Sequence, residues 1–173
     1  TNVLLTSSWV DAEAKLAAGG RVVFQPPPAI LVWSSPPLDR LPVFWNRLMG
    51  PGWSRMLGLW CNTNHPALAG FPTEANCDWQ WTEIIKTRAM NLDGLPRELS
   101  PIVSAIDDWN RNWKLGLIWE ARVGPGRLLV TTFDLGVTSP VARQLRRSLL
   151  DYAAGEQFQP QVDISPALLA SQW

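Results

Sequence analysis

The chain has 173 residues, enough for one domain with its own hydrophobic core. Its 15 basic and 15 acidic residues cancel, which removes the electrostatic case for nucleic acid or an anionic membrane as partner. Apolar residues make up 46% of the chain, as in ordinary globular proteins, and no apolar run approaches the ~20 residues that span a bilayer.

In chain order, residues 3–5 read as a short strand. The chain begins directly in this strand-like sequence, so an excised segment of a longer protein, without a signal peptide, is expected. Thr6, Ser7 and Ser8 offer N-caps for a helix over 9–18 with Val10, Ala14 and Ala17 as its apolar stripe. Gly19-Gly20 ends that helix, and residues 21–25 form a second strand. Strand, helix, glycine pair and strand predict a βαβ unit with parallel pairing.

Residues 26–42 are proline-rich and predict a long ordered loop punctuated by Ile30, Leu31, Val32 and Trp33. A short helix over 44–49 and a strand or turn over 56–60 are expected next. A loop with one helical turn follows over 64–73. A helical turn over 79–81 then runs into a strand over 86–92. Residues 102–106 form another strand, and Asp107 to Asn112 a polar loop in which Asp107-Asp108 reads as a solvated turn.

From residue 115 the pattern sharpens. Leu115, Leu117, Trp119, Ala121 and Val123 alternate, which predicts a strand with one buried face. Gly124-Pro125-Gly126 turns the chain, and residues 127–133 return as the second strand of a hairpin. Ser139 and Pro140 mark a helix start, and Val141, Leu145, Leu149 and Tyr152 make its apolar stripe. The reading places one α/β domain over 1–155 and a tail over 156–173, with a last helical turn near 166–171.

Two features of composition stand out. The 11 Trp against one Tyr and five Phe read either as core filling or as a surface of indoles. Cys61 and Cys77 are the two cysteines, and they read either as one disulfide of an exported protein or as two buried thiols.

Several blocks together carry a resemblance: HPALAGFPTE (65–74), DWQW (78–81), IDDWNRN (106–112), KLGLIWEARVGPGRLLVTTFDL (114–135) and PVARQLRRSLLDY (140–152). They resemble a C-terminal region of bacterial glycoside hydrolase family 2, β-galactosidase-like proteins. That region is similar to a degenerate class I glutamine-amidotransferase-like domain. The resemblance implies a three-layer, flavodoxin-like α/β fold with a mostly parallel sheet, completed by an antiparallel hairpin over about 113–133. It also implies a non-catalytic accessory role beside other domains of a parent hydrolase, in a periplasmic or secreted protein. Active amidotransferases carry a nucleophilic Cys between glycines and a late His–Glu pair. Here Cys61 lies in LWCNT, Cys77 in ANCDW, and the one histidine, His65, precedes the hairpin, so amidotransferase chemistry is expected to be lost.

Other chemistries rank below this. A glycosidase needs two carboxyl groups across the scissile bond, and Glu74, Asp78, Asp107, Asp108 and Glu120 are available, but in the resembling proteins that pair lies in a separate barrel. Cys61, His65, Cys77 and Asp78 make a poor zinc set, with C-x3-H spacing and no C-x-x-C. The glycines do not form a phosphate loop, and no cofactor is expected. For an oligosaccharide, an aromatic platform with polar neighbours is offered at Asp78, Trp79, Gln80 and Trp81, and again at Asp108, Trp109, Arg111 and Trp113. Trp79 and Trp81 share a face if extended and diverge if helical.

Overall fold

The computed structural model describes residues 2–31, 35–38, 56–108, 111–136 and 138–173. The elements in chain order are β1 (Val3–Thr6), α1 (Trp9–Ala17), β2 (Arg21–Phe24), β3 (Met56–Cys61), β4 (Met90–Asn91), β5 (Val103–Asp107), β6 (Leu115–Val123), β7 (Gly126–Thr131), α2 (Pro140–Ala154) and α3 (Pro166–Ala170). The expected helix over 44–49 lies outside the described residues, as do Val32 and Trp33 of the proline-rich loop.

The first unit forms as its local signals dictate. Ser8 caps α1, its hydroxyl accepting the Asp11 N–H at 3.3 Å. Gly19 then takes φ 76°, the left-handed conformation that only glycine adopts freely, and the chain enters β2. β1 and β2 pair in parallel, Val3 opposite Arg21. The helix buries a different stripe from the expected one. Ala12 and Leu16 are buried and Trp9 packs beside them, while Val10 is 74% exposed. Positions 9, 12 and 16 have helical spacing just as 10, 14 and 17 do, and the stripe with the larger side chains faces the sheet.

The sheet has seven strands in the order β1-β2-β7-β6-β5-β3, with β4 alongside β6. It is mixed, which corrects the expectation of a mostly parallel sheet. The pairings β1–β2 and β2–β7 are parallel, and β7–β6, β6–β5, β5–β3 and β4–β6 are antiparallel. The hairpin does not close the sheet at one side, as a hairpin read from sequence alone suggests. It sits in the middle and reverses the strand direction for everything beyond it. The β6–β7 turn closes at the Val123–Gly126 pair. Gly126 lies so near α1 that a Cβ there would stand 2.6 Å from the Leu16 backbone, so only glycine fits.

Two cores form, one on each face of the sheet. α2 lays Ala142, Leu145, Leu149 and Tyr152 on one face, against Val23, Leu129, Val103 and Ala105. α1 and α3 cover the other with Ala12, Leu16 and Leu169, against Val22, Phe24, Leu128 and Val130. The expected single buried face of β6 is split between them. Leu115, Leu117 and Ile118 belong to the first core and Trp119, Ala121 and Val123 to the second. A register irregularity opposite Val103 and Ser104 explains this, because a bulge breaks the two-residue period and lets consecutive side chains share a face.

The strand expected over 86–92 is cut short for a related reason. Leu38 N–H donates to Thr87 O at 2.7 Å and Ala89 N–H to Pro36 O at 3.0 Å, around a Pro37–Arg88 bridge. Met90 and Asn91 turn to β6 instead. Prolines 36 and 37 have no N–H with which to extend the first ladder.

Residues 156–173 are built into the same body. Val162 O accepts the Arg122 N–H at 2.7 Å, and Arg122 O accepts the Ile164 N–H at 2.9 Å. Phe158, Ile164 and Leu169 are buried. Trp173 packs on Trp9 and Phe24, with ring centroids 5.4 and 4.9 Å away.

Candidate functional site

The first expected platform folds as a 3-10 turn over Trp79–Glu83, and this decides its geometry. Trp81 points into the core with no exposure, and its indole N–H donates to Thr73 Oγ1 at 2.8 Å. Its ring meets Phe71 and Phe133 at centroid distances of 5.0 and 5.3 Å. Trp79 is 81% exposed. Asp78 and Gln80 brace the preceding loop. Asp78 Oδ2 accepts the Glu74 N–H at 2.8 Å, and Gln80 Nε2 donates to Pro72 O at 3.0 Å. The two indoles therefore do not form one surface, and Trp81 is corrected from platform residue to core residue.

The second expected platform sits at the end of β5. Asp107 and Asp108 are 5% and 2% exposed, which corrects the solvated turn expected there. Arg111 forks onto the Asp107 carboxylate, with Nε 2.8 Å from Oδ2 and Nη2 hydrogen-bonded to Oδ1. The Trp113 N–H donates to the same Oδ2 at 2.9 Å. Burial works to raise the Asp107 pKa, but Arg111 and the Trp113 and Asp108 amides outweigh it and hold the carboxyl below its ordinary range. The Arg111 guanidinium also lies 4.3 Å from the centroid of the Trp113 ring. Asn112 takes φ 52° to close the turn, a conformation asparagine tolerates. Trp109 and Asn110 lie outside the described residues. Asp107 is thus a buried anchor for this turn, with its charge and lone pairs committed.

A third cluster was not singled out from sequence. His65, Glu120 and Tyr152 meet between the Pro66–Leu68 turn, β6 and α2. His65 Nδ1 accepts the Ala67 N–H at 3.2 Å, which caps that turn and leaves Nε2 to face Glu120 Oε1 at 3.8 Å. The Tyr152 hydroxyl donates to Glu120 Oε2 at 2.6 Å. Burial raises the Tyr152 pKa well above the phenol value, and the adjacent Glu120 carboxylate adds to the rise. The sequence did contain a signal: Glu120 interrupts an otherwise apolar strand, and a carboxylate there needs a donor from the packing helix. A cavity of about 400 Å³ opens beside this cluster, lined among others by Pro66, Gly70, Ser148, Tyr152 and Glu156. Its hydroxyl Ser148 is already engaged, donating to Ala67 O at 2.7 Å and accepting the Gly70 N–H at 3.0 Å. Tyr152 stands next to His65, with ring centroids 5.2 Å apart, and its hydroxyl proton is held by Glu120.

Cys61 and Cys77 are both thiols, not joined in a disulfide. Cys61 is buried on β3 and its pKa is pushed up to about 12, chiefly by burial, with a Thr73 hydrogen bond working against the rise. At neutral pH it is a thiol, not a thiolate. Among the described residues, no three His, Cys, Asp or Glu side chains lie close enough to hold a metal ion, and no helix is long and apolar enough to cross a membrane.

Residues 4–172 match the family described as "Domain of unknown function (DUF8487)". The chain belongs to that family. The match runs through every described element, so the mixed sheet, both cores and the His65–Glu120–Tyr152 cluster all fall within the family's span. No curated protein matches the chain.

Proposed function

We propose that this DUF8487 chain is a non-catalytic accessory domain of a multidomain glycoside hydrolase, packing on its neighbours or helping the parent enzyme to assemble. We also read its fold as a divergent variant of the three-layer, flavodoxin-like amidotransferase domain, since helices cover both faces of an α/β sheet. The observation that carries the reading is where the resembling blocks meet. His65 of the first block, Glu120 of the fourth and Tyr152 of the fifth form one contact network. Trp81 of the second bonds Thr73 of the first, and Asp107 and Arg111 of the third bond each other. The shared residues are occupied in holding the fold, which supports a likeness of scaffold rather than of catalytic site. The raised pKa of Cys61 supports the same view.

The test compares the full-length polypeptide carrying this segment with a version lacking residues 1–173. Hydrolysis of aryl β-glycosides and the oligomeric state are measured on both. The expected result is an active parent whose assembly or activity on polymeric substrate falls on deletion. Unchanged activity and unchanged assembly overturn the proposal, and so does a full-length protein with no glycosidase activity. A second reading, an independent carbohydrate-binding module, has one specific support in the exposed indole of Trp79 beside Asp78 and Gln80. Loss of oligosaccharide binding in Trp79→Ala tests it.

A further inference from the structure

The two cores cover different extents of the sheet. On β3 and β5, Leu59, Cys61, Val103 and Ala105 turn into the α2-side core. The opposite face of these two strands carries Gly58, Trp60, Ser104 and Ile106, all intermediate or exposed. Trp60 is 44% and Ile106 46% exposed. On its outer edge β3 is bridged by Asn76, directly opposite Trp60, and on its inner edge Ser104 stands opposite Trp60. Directly opposed residues of antiparallel strands share a face, with Cβ atoms about 4.5–5.5 Å apart. Asn76, Trp60 and Ser104 therefore form one row across the open face. Among the described residues, the Asn76 amide and the Ser104 hydroxyl make no hydrogen bond. One rung along, Gly58 stands opposite Ile106, and a Cβ there would come into ordinary contact with Ile106 Cδ1 at 3.8 Å.

We propose that this row is a binding site for a hexopyranose unit of an oligosaccharide. An indole offers a flat apolar surface to the C–H face of a sugar ring, and an amide on one side and a hydroxyl on the other are the groups that bond its hydroxyls. The size of the patch favours a small ligand. A stable protein interface buries about 800 Å² per partner, far more than five residues with two large apolar side chains present. Gly58 keeps this rung low, with Ile106 as its only close side chain among the described residues. The site is distinct from both platforms read from sequence, and it rests on the proposal that the chain serves a carbohydrate-active enzyme.

The test titrates the 173-residue chain with cellotetraose and with β-1,4-galactotetraose, following tryptophan emission and calorimetric heat. The expected result is saturable binding of at least one probe, weakened about tenfold or more in Trp60→Ala and several-fold in Asn76→Ala. Gly58→Val adds side-chain bulk to this face one rung from the indole and is expected to abolish binding with the fold intact by near-ultraviolet circular dichroism, while Val10→Ala, at an exposed position on α1, binds as the parent chain does. No saturable signal with either probe overturns the site, as does binding that survives both Trp60→Ala and Gly58→Val. If the titration is flat while deletion of the segment still impairs the full-length enzyme, the sugar site falls and the accessory role stands.

Discussion

Trp79 and Trp81, two positions apart, leave the same 3-10 turn on opposite sides: Trp79 is 81% exposed and Trp81 is fully buried. Their substitutions must therefore differ sharply. Trp81→Ala empties a site between Phe71 and Phe133 and removes the indole N–H bond to Thr73 Oγ1, at a cost of about 3–5 kcal/mol. Trp79→Ala removes exposed surface and is expected to change stability by no more than about 0.5 kcal/mol. Urea unfolding of both variants decides it, and equal midpoints would refute the assignment of Trp81 to the core.

The contrast shows what was legible in the sequence. Signals confined to a few residues read correctly. Ser8 and Ser139 cap the helices assigned to them, Gly124-Pro125-Gly126 turns the hairpin, and the turn over 79–81 is helical. The parallel β1–β2 pairing and the β6–β7 hairpin also read correctly, but other readings that needed a partner failed. The stripe of α1 went to Trp9, Ala12 and Leu16 because the sheet chose between two faces of equal spacing. The β6 alternation holds on each side of a bulge next to Gly116, the glycine inside the strand that alternation alone does not weigh. Strand direction beyond β7, and hence the mixed sheet, depends on which edge each strand finds. The His65–Glu120–Tyr152 cluster joins residues far apart in the chain, and only the lone carboxylate in an apolar strand pointed to it.

Tyr152 and Glu120 make a pH-dependent prediction. The folded-state pKa of Tyr152 is raised above its unfolded value, so the folded chain holds this proton more tightly. That contribution is complete below about pH 10 and is lost as pH rises through the folded pKa. Tyr152→Phe removes it and leaves the Glu120 oxygen without its donor, costing about 1–3 kcal/mol at neutral pH. The gap between wild type and Tyr152→Phe is expected to narrow above about pH 10. Unfolding measured from pH 7 into the alkaline range checks this, and a constant gap would sink it.

Asp107 predicts the opposite sign. Its folded-state pKa lies below the ordinary value of 3.8, so its stabilisation is present above that value and lost as pH falls through the folded pKa. Asp107→Ala leaves the Arg111 guanidinium and the Trp113 amide without their acceptor, at a cost of about 3 kcal/mol. The exposed Arg122–Asp163 pair, with side chains 47% and 69% open to water, is a control. Asp163→Ala is expected to change stability far less, because water screens and replaces such a pair. Comparable losses in the two variants would contradict the buried role of Asp107. So would an Asp107→Ala variant that loses stability below pH 4 in parallel with wild type.

The two cysteines test the assignment of Cys61 as a structural thiol. Its pKa rises from 9.0 to about 12, mainly through burial, so almost none of it is thiolate at pH 8. Cys77 is only partly buried. Iodoacetamide at pH 8, followed by peptide mass spectrometry, is expected to modify Cys77 first and to reach Cys61 only once urea unfolds the chain. The raised pKa also fixes a stability trend: the neutral thiol contributes fully below about pH 9, and the contribution is lost as pH rises toward about 12. Cys61→Ala removes that slope and opens a small void beside Leu59 and Val103, for about 1–2 kcal/mol at neutral pH. Rapid labelling of Cys61 in the native chain at pH 8 would mark it as an activated nucleophile. That result would also reopen amidotransferase-like chemistry for this domain.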